Sequence, residues 1–521
     1  MSEYKKNRRD FQELLDRKEW LKDENRPSAT GKRKKKNQRT ARENIADLCD
    51  GSSFKEIGSL IVAAQRGRKS NEELMRETPC DGLIAGFGNI NSDHFDDKQT
   101  GCYILAYDYT VLAGTQGAFN HKKTDRMLQM VNKIPKPVIF FVEGGGGRPG
   151  DVDYNPITTG WLDLNTFVEY ARLSGKIPRL AIVSGYCFAG NASLAGCSDV
   201  IIATKNTSMG MGGPAMIEGG GLGNFHPTEI GPPRVMNENG VVDILVEDEK
   251  EAVSTAKKYL SYFQGNLGTW SHGDQEVLRR SIPEDRRYAY DIQKVIKVLF
   301  DKDSSLELRS GFAKNAYTGL ARVAGIPVGV MANSTRYLGG AIDSDAADKF
   351  SRFMQLCDAF GLPLVSLVDA PGFMVGPDIE KSGMVRHANR MFVVGASLKV
   401  PVFTVVLRKS YGLGAMAMAG GSLHASYCTI AWPSAEFGAM GLEGSVKLGF
   451  RKELESTGSR EEKDRLFNDL LKSAYNKGKA VNAAQMLEFD EVIDPMDTRE
   501  WIITAIKSTK FEKNQRMIDT W

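Results

Sequence analysis

Two turns rich in small residues are the places in this chain where the residue types could support chemistry. Ser184-Gly-Tyr-Cys-Phe-Ala-Gly-Asn-Ala-Ser193 follows the apolar run Leu180–Val183, and Arg408-Lys-Ser-Tyr-Gly-Leu-Gly-Ala-Met-Ala-Met418 follows Val400–Leu407. Such a run predicts a buried strand, and the small residues after it let the backbone approach a ligand before a helix begins. Backbone N–H groups there could stabilise a carbonyl oxygen that gains negative charge, by roughly 3 to 4 kcal/mol per donor.

Each of these turns has a second glycine-rich turn upstream of it. Pro137–Val142 leads into Glu143-Gly-Gly-Gly-Gly-Arg-Pro-Gly-Asp151, and Leu362–Val368 leads into Asp369-Ala-Pro-Gly-Phe-Met-Val-Gly-Pro-Asp378. The chain has no Gly-x-Ser-x-Gly motif, and we expect Cys187 to be a small buried residue rather than a thiolate. The sequence therefore predicts sites that are built from the main chain.

The paired turns recur at a nearly constant spacing. Val368 lies 226 residues after Val142, Gly414 lies 224 after Gly190, and Gly340 lies 223 after Gly117. Self-similarity at one spacing is the signature of a repeated unit. Because 521 residues exceed what one hydrophobic core usually serves, we predict two domains with the same fold.

Strands alternate with helices in both halves, which predicts largely parallel sheets with ligands beyond the carboxyl ends of the strands. The further predicted strands are Phe54–Ile57, Leu83–Ala85, Tyr103–Asp108, Tyr109–Ala113, Val200–Ala203, Ala321–Val330 and Tyr427–Trp432. Predicted helices cover residues 5–26, 40–50, 121–133, 345–360 and 453–479, and the C-terminal tail. The polar, mixed composition of residues 265–300 predicts a linker between the halves.

Composition excludes several classes of protein. The seven cysteines are scattered without a CxxC pair, and no secretory signal is evident, so we expect a reducing, cytoplasmic environment. The six dispersed histidines and the lack of HExxH argue against a metal site. No run of about 18 apolar residues occurs, which argues against a membrane span.

The N-terminal segment is strongly basic. Residues 1–42 hold 15 Lys or Arg against 7 Asp or Glu, although the whole chain carries only +3. Gly31-Lys-Arg-Lys-Lys-Lys-Asn37 has no interleaved aromatic residues, so we favour a solvated segment or an acidic small ligand over nucleic acid. A nucleic-acid-binding protein remains the alternative from outside the enzymes. We interpret residues 1–39 as a basic, helical extension.

Taken together, the motifs resemble the carboxyltransferase (beta) subunit of biotin-dependent acyl-CoA carboxylases of the propionyl-CoA, acetyl-CoA and methylcrotonyl-CoA type. The resemblance covers residues 40–515. The motifs that carry it are Thr40-Ala-Arg-Glu-Asn-Ile45, Gly144-Gly-Gly-Gly-Arg148, Gly185-Tyr-Cys-Phe-Ala-Gly190, Asp369-Ala-Pro-Gly-Phe373, Arg386-His387, Arg408-Lys-Ser-Tyr-Gly412, Ala431-Trp-Pro-Ser-Ala-Glu436 and Gly438-Ala-Met-Gly441.

The resemblance implies an α/β fold of two tandem crotonase-like domains related by internal duplication. Residues 40–275 would form the domain on the acyl-CoA side, and residues 290–521 the domain on the carboxybiotin side. It also implies a homo-hexamer whose sites lie between the N-terminal half of one subunit and the C-terminal half of another. Ala417 stands where biotinylated carriers have lysine, so biotin would be attached to a separate biotin carboxyl carrier. A separate biotin carboxylase would add the carboxyl group to that biotin. Coenzyme A enters as part of the substrate, and no metal is implied.

The family's functional positions carry over onto this sequence. The catalytic hole residues would be Ala189, Gly190, Leu413 and Gly414. The substrate-binding residues would be Gly145, Gly146, Gly147, Arg148, Gly372, Phe373, Tyr411, Gly412 and Met416, with Arg42 contacting coenzyme A. Carboxybiotin would lose CO2, biotin would take the α-proton of the thioester, and the thioester enolate would capture the CO2. One hole for each enolate is what a duplicated fold supplies.

Several side chains have two interpretations. Arg148 either contacts the substrate or braces its loop by pairing with Asp151 or Glu143. We expect His387 to be a packing residue rather than a catalytic one. Met416 stands where propionyl-type members have Asp, which indicates an acyl pocket of altered volume and polarity around a short-chain substrate.

Two other enzyme classes stay open. A biotin-dependent acyl-CoA decarboxylase, coupled to a sodium-pumping membrane partner, would use the same residues in the reverse direction. A crotonase-type hydratase or isomerase would need carboxylates beside the hole, and none is evident near Gly190.

Overall fold

The computed structural model describes residues 8–153, 162–510 and 513–521, and the chain divides into two compact units. The first unit ends at Gln264 and the second begins at Gly265. The strands of the first unit are β1 (Lys55–Ile57), β2 (Leu83–Asn89), β3 (Gly101–Tyr107), β4 (Val138–Phe141), β5 (Arg179–Val183), β6 (Tyr186–Phe188), β7 (Val200–Thr204), β8 (Ser208–Gly210) and β9 (Ile244–Val246). Its helices are α1 (Arg9–Glu19), α2 (Pro27–Lys34), α3 (Ala41–Leu48), α4 (Asn71–Glu77), α5 (Asp97–Thr100), α6 (Ala118–Lys133), α7 (Thr166–Ala171), α8 (Gly190–Gly196), α9 (Pro214–Gly219), α10 (Pro233–Glu238) and α11 (Glu249–Gln264).

The second unit is organised in the same manner. Its strands are β10 (Leu306–Leu308), β11 (Ala316–Val323), β12 (Ile326–Asn333), β13 (Leu364–Ala370), β14 (Val402–Tyr411), β15 (Cys428–Ala431), β16 (Glu436–Gly438) and β17 (Glu491–Val492). Its helices are α12 (Ile292–Leu299), α13 (Ser344–Phe360), α14 (Pro377–Glu380), α15 (Met384–Ala396), α16 (Gly412–Met418), α17 (Leu442–Gly449), α18 (Arg451–Glu455), α19 (Arg460–Gly478), α20 (Ala480–Ala483) and α21 (Thr498–Ser508).

Both units contain a mixed sheet with one connectivity. The strand order is β1-β2-β3-β4-β5-β7-β9 in the first and β10-β11-β12-β13-β14-β15-β17 in the second. The first three strands of each sheet are antiparallel and the rest are parallel. Beyond the main sheet, β6 pairs with β8, and the end of β14 pairs with β16.

The pairing registers correct two of the sequence landmarks. Val138 pairs with Arg179 and Leu364 pairs with Val402, so the spacing between equivalent residues is 226 at β4 and β13 but 223 at β5 and β14. Gly340 is therefore equivalent to Gly114 rather than to Gly117, and Leu413 rather than Gly414 is equivalent to Gly190. A Cβ on Gly114 would lie 2.4 Å from the Glu143 carbonyl oxygen, and one on Gly340 would lie 2.6 Å from that of Asp369.

The central strands are buried, except at Lys409 near the end of β14, as their apolar sequences predict for parallel strands covered on both faces. Phe140, Ala181 and Ile201 lie in the core of the first unit, and Val365 and Val405 lie in that of the second. The carboxyl ends of these strands lead directly into the glycine-rich turns, so the cores fix where the turns lie.

Some sequence predictions differ from the structure. Ala321–Val330 is not one strand, because β11 ends at Val323 and β12 begins at Ile326, with a turn at Ala324 and Gly325, whose φ values are 51° and 77°. Tyr109–Ala113 is not a strand, because Leu112 and Ala113 have φ of 49° and 54° and form a turn. Residues 292–299, placed in a linker, form α12, whose apolar face at i, i+3, i+4 and i+7 is buried in the second unit. The tail is helical only to Ser508.

Among the described helices, none combines the length and apolarity that a bilayer span requires.

Candidate functional site

The turn after β4 is held by main-chain hydrogen bonds on both sides. Gly144 N–H donates to the Tyr186 carbonyl at 2.7 Å, and Phe188 N–H donates to the Gly144 carbonyl at 2.9 Å. Gln116 closes the other side, because its N–H donates to the Gly146 carbonyl at 2.7 Å and its carbonyl accepts from Arg148 N–H at 2.8 Å. The turn is thus fixed against β6 and against the segment that enters α6.

Two N–H groups at this turn are left without an acceptor. Gly146 N–H donates to Asn191 Oδ1 at 2.9 Å, but the N–H groups of Gly147 and Gly190 have no acceptor among the residues that the structure describes. The two turns are in contact, since a Cβ on Gly146 would lie 2.6 Å from Ala189 Cβ and 3.6 Å from Gly190 N. Only glycine fits at position 146, and its absence of a side chain leaves room for a ligand atom near both donors.

Ala189, which the sequence predicts as a hole residue, has an N–H that is already hydrogen-bonded. Its N–H donates to the Gly210 carbonyl at 3.0 Å, so this donor is already used within the protein. Its φ of 50° lies in the left-handed region, at the point where the chain passes from β6 into α8. Among the described residues, the N–H groups of Gly147 and Gly190 are therefore the ones here without an acceptor, and the sequence predicted Gly147 only as a substrate-binding residue.

The second unit has an equivalent arrangement. Ile342 N–H donates to the Gly372 carbonyl at 3.1 Å, and the Ile342 carbonyl accepts from Met374 N–H at 2.8 Å, as Gln116 does in the first unit. Within the described ranges, the N–H groups of Phe373 and Leu413 have no acceptor. A Cβ on Gly414 would lie 2.9 Å from Phe373 N, so these turns also touch, and Gly414 serves as the close-approach residue.

Arg148 and Tyr411 have side chains that are committed to the protein. The Arg148 guanidinium bonds Asp81 Oδ1 at 2.6 Å, Asp151 Oδ1 at 3.3 Å and the Thr115 carbonyl at 2.8 Å, and its side chain is 5% exposed. The structure thus favours bracing over substrate contact, with Asp151 and not Glu143 as one predicted partner. Tyr411 is buried and donates its hydroxyl to Glu436 Oε2 at 2.6 Å, so only its main chain reaches the turn.

Other candidate side chains are also paired. Arg42 bonds Glu56 at 3.0 Å and the Leu21 carbonyl at 2.9 Å, which leaves its guanidinium little capacity for coenzyme A. His387 Nδ1 lies 2.7 Å from Asp348 Oδ2, and Arg390 binds the other oxygen of that carboxylate, so His387 is paired within the second unit. Gly145 and Gly147 are exposed, and Gly412 and Met416 are half-buried around α16.

Burial shapes the titration of the groups near the first turn. Burial raises the pKa of Glu143 to about 7, although the positive charge of Arg33 acts to lower it. It raises the pKa of Asp81 to about 6 despite the ion pair with Arg148. Cys187 is fully buried, as predicted, and burial raises the pKa of its thiol. Among the described residues, no group of three or more His, Cys, Asp or Glu is placed to hold a metal ion.

A basic cleft lies in the first unit beside the N-terminal helices. Its volume is about 760 Å³, and its lining includes Lys32, Lys35 and Lys36, which are exposed, together with Arg26 and Tyr109. Sequence reasoning anticipated a solvated segment or an acidic ligand here.

Sequence reasoning did not anticipate Gln116 or Asn191, whose roles depend on contacts between distant turns. The sole signal was their position within glycine-rich motifs.

The chain is similar to known proteins along most of its length. A family model described as the carboxyl transferase domain matches residues 32–519. The chain is 32% identical to the methylmalonyl-CoA carboxyltransferase 12S subunit of Propionibacterium freudenreichii subsp. shermanii, over 92% of this chain and 90% of that protein.

Two solved structures are similar along the whole chain. A single-chain, multi-domain long-chain acyl-CoA carboxylase is 50% identical with a TM-score of 0.91, over 96% of this chain and 49% of the other, so this chain spans about half its length. A transcarboxylase 12S structure, described as a hexamer assembly with methylmalonyl-coenzyme A and methylmalonic acid bound, is 28% identical with a TM-score of 0.83, over 98% of both chains.

Proposed function

Because the chain belongs to the carboxyl transferase family of biotin-dependent acyl-CoA carboxylases, we propose that its two pairs of turns hold the two oxygens that gain charge during carboxyl transfer. The observation that carries the proposal is the set of four N–H groups without acceptors among the described residues, from Gly147, Gly190, Phe373 and Leu413. They fall in pairs at equivalent register positions of the two units.

The first pair suits the thioester of an acyl-CoA. As the α-carbon loses its proton, charge moves onto the thioester oxygen, and the N–H groups of Gly147 and Gly190 would donate to it. Fixed donors need no reorganisation when the charge develops, which is why such a pair stabilises the transition state more than water does. No side-chain base is required of the chain if the proton leaves to the second substrate.

The second pair suits the ureido oxygen of biotin. Carboxybiotin supplies the carboxyl group when it is bound. The N–H groups of Phe373 and Leu413 would donate to the ureido oxygen, and the open surface around Leu413, which is 61% exposed, admits a ring brought by a carrier. We propose that the biotin carboxylase and the carrier act as partners of this chain, and that a hexamer is the working assembly, as in the transcarboxylase 12S structure.

The crotonase-like duplication is part of the same proposal. Identical strand order, identical antiparallel and parallel pairing, and equivalent turns support one fold present twice. We further propose that the first unit binds acyl-CoA, with the exposed lysines at 32, 35 and 36 meeting its phosphates in the basic cleft.

A long acyl chain fits this protein better than the short chain that the sequence suggested. The supporting observations are the 50% identity to a long-chain acyl-CoA carboxylase, against 32% to the methylmalonyl-CoA enzyme, and the apolar Met416 beside the second turn. A series of acyl-CoAs from acetyl to palmitoyl, carboxylated with a reconstituted carrier and biotin carboxylase, tests this directly. A kcat/KM that falls with chain length would contradict it.

The reaction class has its own test. The purified chain, incubated with methylmalonyl-CoA or malonyl-CoA and free biotin, should release propionyl-CoA or acetyl-CoA in a biotin-dependent manner, as measured by chromatography. Hydration of crotonyl-CoA without any biotin-dependent transfer would overturn the proposal in favour of a hydratase. Net carboxylation with the ATP-driven biotin carboxylase would decide against the decarboxylase direction.

A further inference from the structure

We infer that Arg33 on α2 is a positioning residue for the first glycine-rich turn, because it supplies from the N-terminal segment the guanidinium that the second unit carries on its own sheet. This inference rests on the proposed carboxyl transfer at that turn. It goes beyond it by giving α2 a part in the reaction.

The second unit shows the arrangement that the first one lacks. Asp369, at the carboxyl end of β13, is fully buried, and Arg408 on the adjacent β14 donates from Nε to its Oδ2 at 2.9 Å. Lys409 N–H donates to the other oxygen at 3.1 Å. The carboxylate that begins the second turn is thus neutralised by a neighbouring strand.

The equivalent acid of the first unit has no such neighbour. The register places Glu143 at the position of Asp369, and Gly185 at the position of Arg408. Gly185 has φ of 92°, and a Cβ there would lie 2.1 Å from Glu143 Oε1, so a side chain at this position would be strained and would displace the carboxylate. The carboxylate therefore needs a partner from elsewhere.

Arg33 is that partner. Its Nη1 lies 2.5 Å from Glu143 Oε2, its Nη2 lies 3.7 Å from Glu249 Oε1, and its Nε donates to the Arg39 carbonyl at 2.8 Å. The side chain is 8% exposed, so the pair is shielded from water. Glu143 and Arg33 are 110 residues apart in the chain, yet the contact fixes the residue directly before Gly144.

Apart from Arg33, the titratable groups around Glu143 disfavour its ionised form or carry no positive charge. Glu249 on α11 and Asp108 after β3 raise its pKa, as does burial, and Tyr109 and Cys187 add no positive charge. Arg33 is the largest opposing influence. Without it, an ionised Glu143 would have to move towards water and would pull Gly144, and with it the Gly147 donor, out of place.

The test compares Arg33→Gln in the full chain with Arg9→Gln, a change of the same type at an exposed arginine of the same segment. The readout is biotin-dependent carboxylation of whichever acyl-CoA of the acetyl-to-palmitoyl series gives the highest kcat/KM, with the reconstituted carrier and biotin carboxylase. Arg33→Gln should lower kcat by about 10- to 100-fold, as expected for a displaced donor, while Arg9→Gln should leave it unchanged. If the wild type shows no transfer, the proposed function fails; if Arg33→Gln matches Arg9→Gln, only this inference fails.

A pH profile separates positioning from a loss of folding. In the wild type the ion pair forms as pH rises through about 7, where Glu143 ionises. In Arg33→Gln the loss of kcat belongs to the pH range in which Glu143 ionises, because a neutral Glu143 needs no partner. The ratio of variant to wild-type kcat should therefore rise as pH falls from 8 to 6.

The double variant Arg33→Gln/Glu143→Gln keeps the inference testable if the single variant fails to fold. Because it leaves no unpaired carboxylate, it should recover most of the lost kcat and its ratio to wild type should not vary with pH. A double variant as impaired as the single one, or a ratio for Arg33→Gln that is flat with pH, overturns the inference.

Discussion

Removing one N–H donor while keeping the fold is the sharpest test of the proposed sites, and Leu413 allows it. Its side chain is 61% exposed, it lies in the first turn of α16, and its N–H has no acceptor among the described residues. Proline is tolerated in the first turn of a helix because its missing N–H would be unpaired there. Leu413→Pro therefore deletes the donor without breaking a hydrogen bond of the protein.

The expected magnitude follows from the chemistry of such donors. Loss of one donor to a developing oxyanion costs about 2.7 to 4 kcal/mol in the transition state, which is a fall of about 100- to 1,000-fold in kcat. Leu413→Ala is the matched control, because it removes the same exposed side chain but keeps the N–H. We expect its kcat to stay within about threefold and its free energy of unfolding within about 0.5 kcal/mol of the wild type.

The assay is biotin-dependent release of propionyl-CoA from methylmalonyl-CoA, with thermal unfolding measured on the same samples. The same pair of changes at Gly147 tests the first unit, since a Cβ there would have no atom within 4 Å. Gly147→Ala should be active and Gly147→Pro inactive. A folded Leu413→Pro variant with the kcat of Leu413→Ala would refute the view that main-chain donors hold the charge.

Four further predictions rest on particular contacts. Gly185→Ala should destabilise the protein by about 2 kcal/mol or more in chemical denaturation, because its Cβ would clash with Glu143, whereas Gly196→Ala, with open space around it, should be neutral or stabilising. Glu143 has its pKa raised to about 7, so its contribution to stability should decline as pH rises from about 4.5 to 7, by up to ~3 kcal/mol, and Glu143→Gln should remove that decline. Arg148→Met should cost about 3 to 5 kcal/mol in denaturation, since it leaves two buried aspartates unpaired. Met416→Asp should shift kcat/KM in an acyl-CoA series towards short chains, and an unchanged series would count against its place in the pocket.

Hydrophobic patterning predicted the central strands and the turns after them, because fully buried parallel strands leave a continuous apolar signature. It predicted Tyr109–Ala113 wrongly, since Leu112 and Ala113 adopt left-handed conformations that are uncommon for their residue types, and Gly114 marks only the end of the turn. Spacing in the sequence indicated the repeat, but insertions between strands change the spacing from one pair of strands to the next. The pairing registers are therefore needed to identify Leu413 as the residue equivalent to Gly190.

Residue types alone could not assign the donors. Whether an N–H is available depends on whether another carbonyl has already taken it, as Gly210 has for Ala189. The same limit applies to Arg148 and Arg42, which are suitable in type for binding phosphate or carboxylate but are paired within the protein. Contacts over long sequence distances decide these cases, and a single sequence does not contain them.

The docking of α2 against Glu143 bears on how this protein should be shortened for study. The match to the family begins at residue 32, inside α2, which spans Pro27–Lys34. A fragment cut at that boundary would retain Arg33 but lose most of the helix that directs it, along with Arg26, which holds Asp108 at 2.8 Å. Such a fragment could preserve both sheets and still be inert, so trimming by similarity alone would discard a working part of the enzyme.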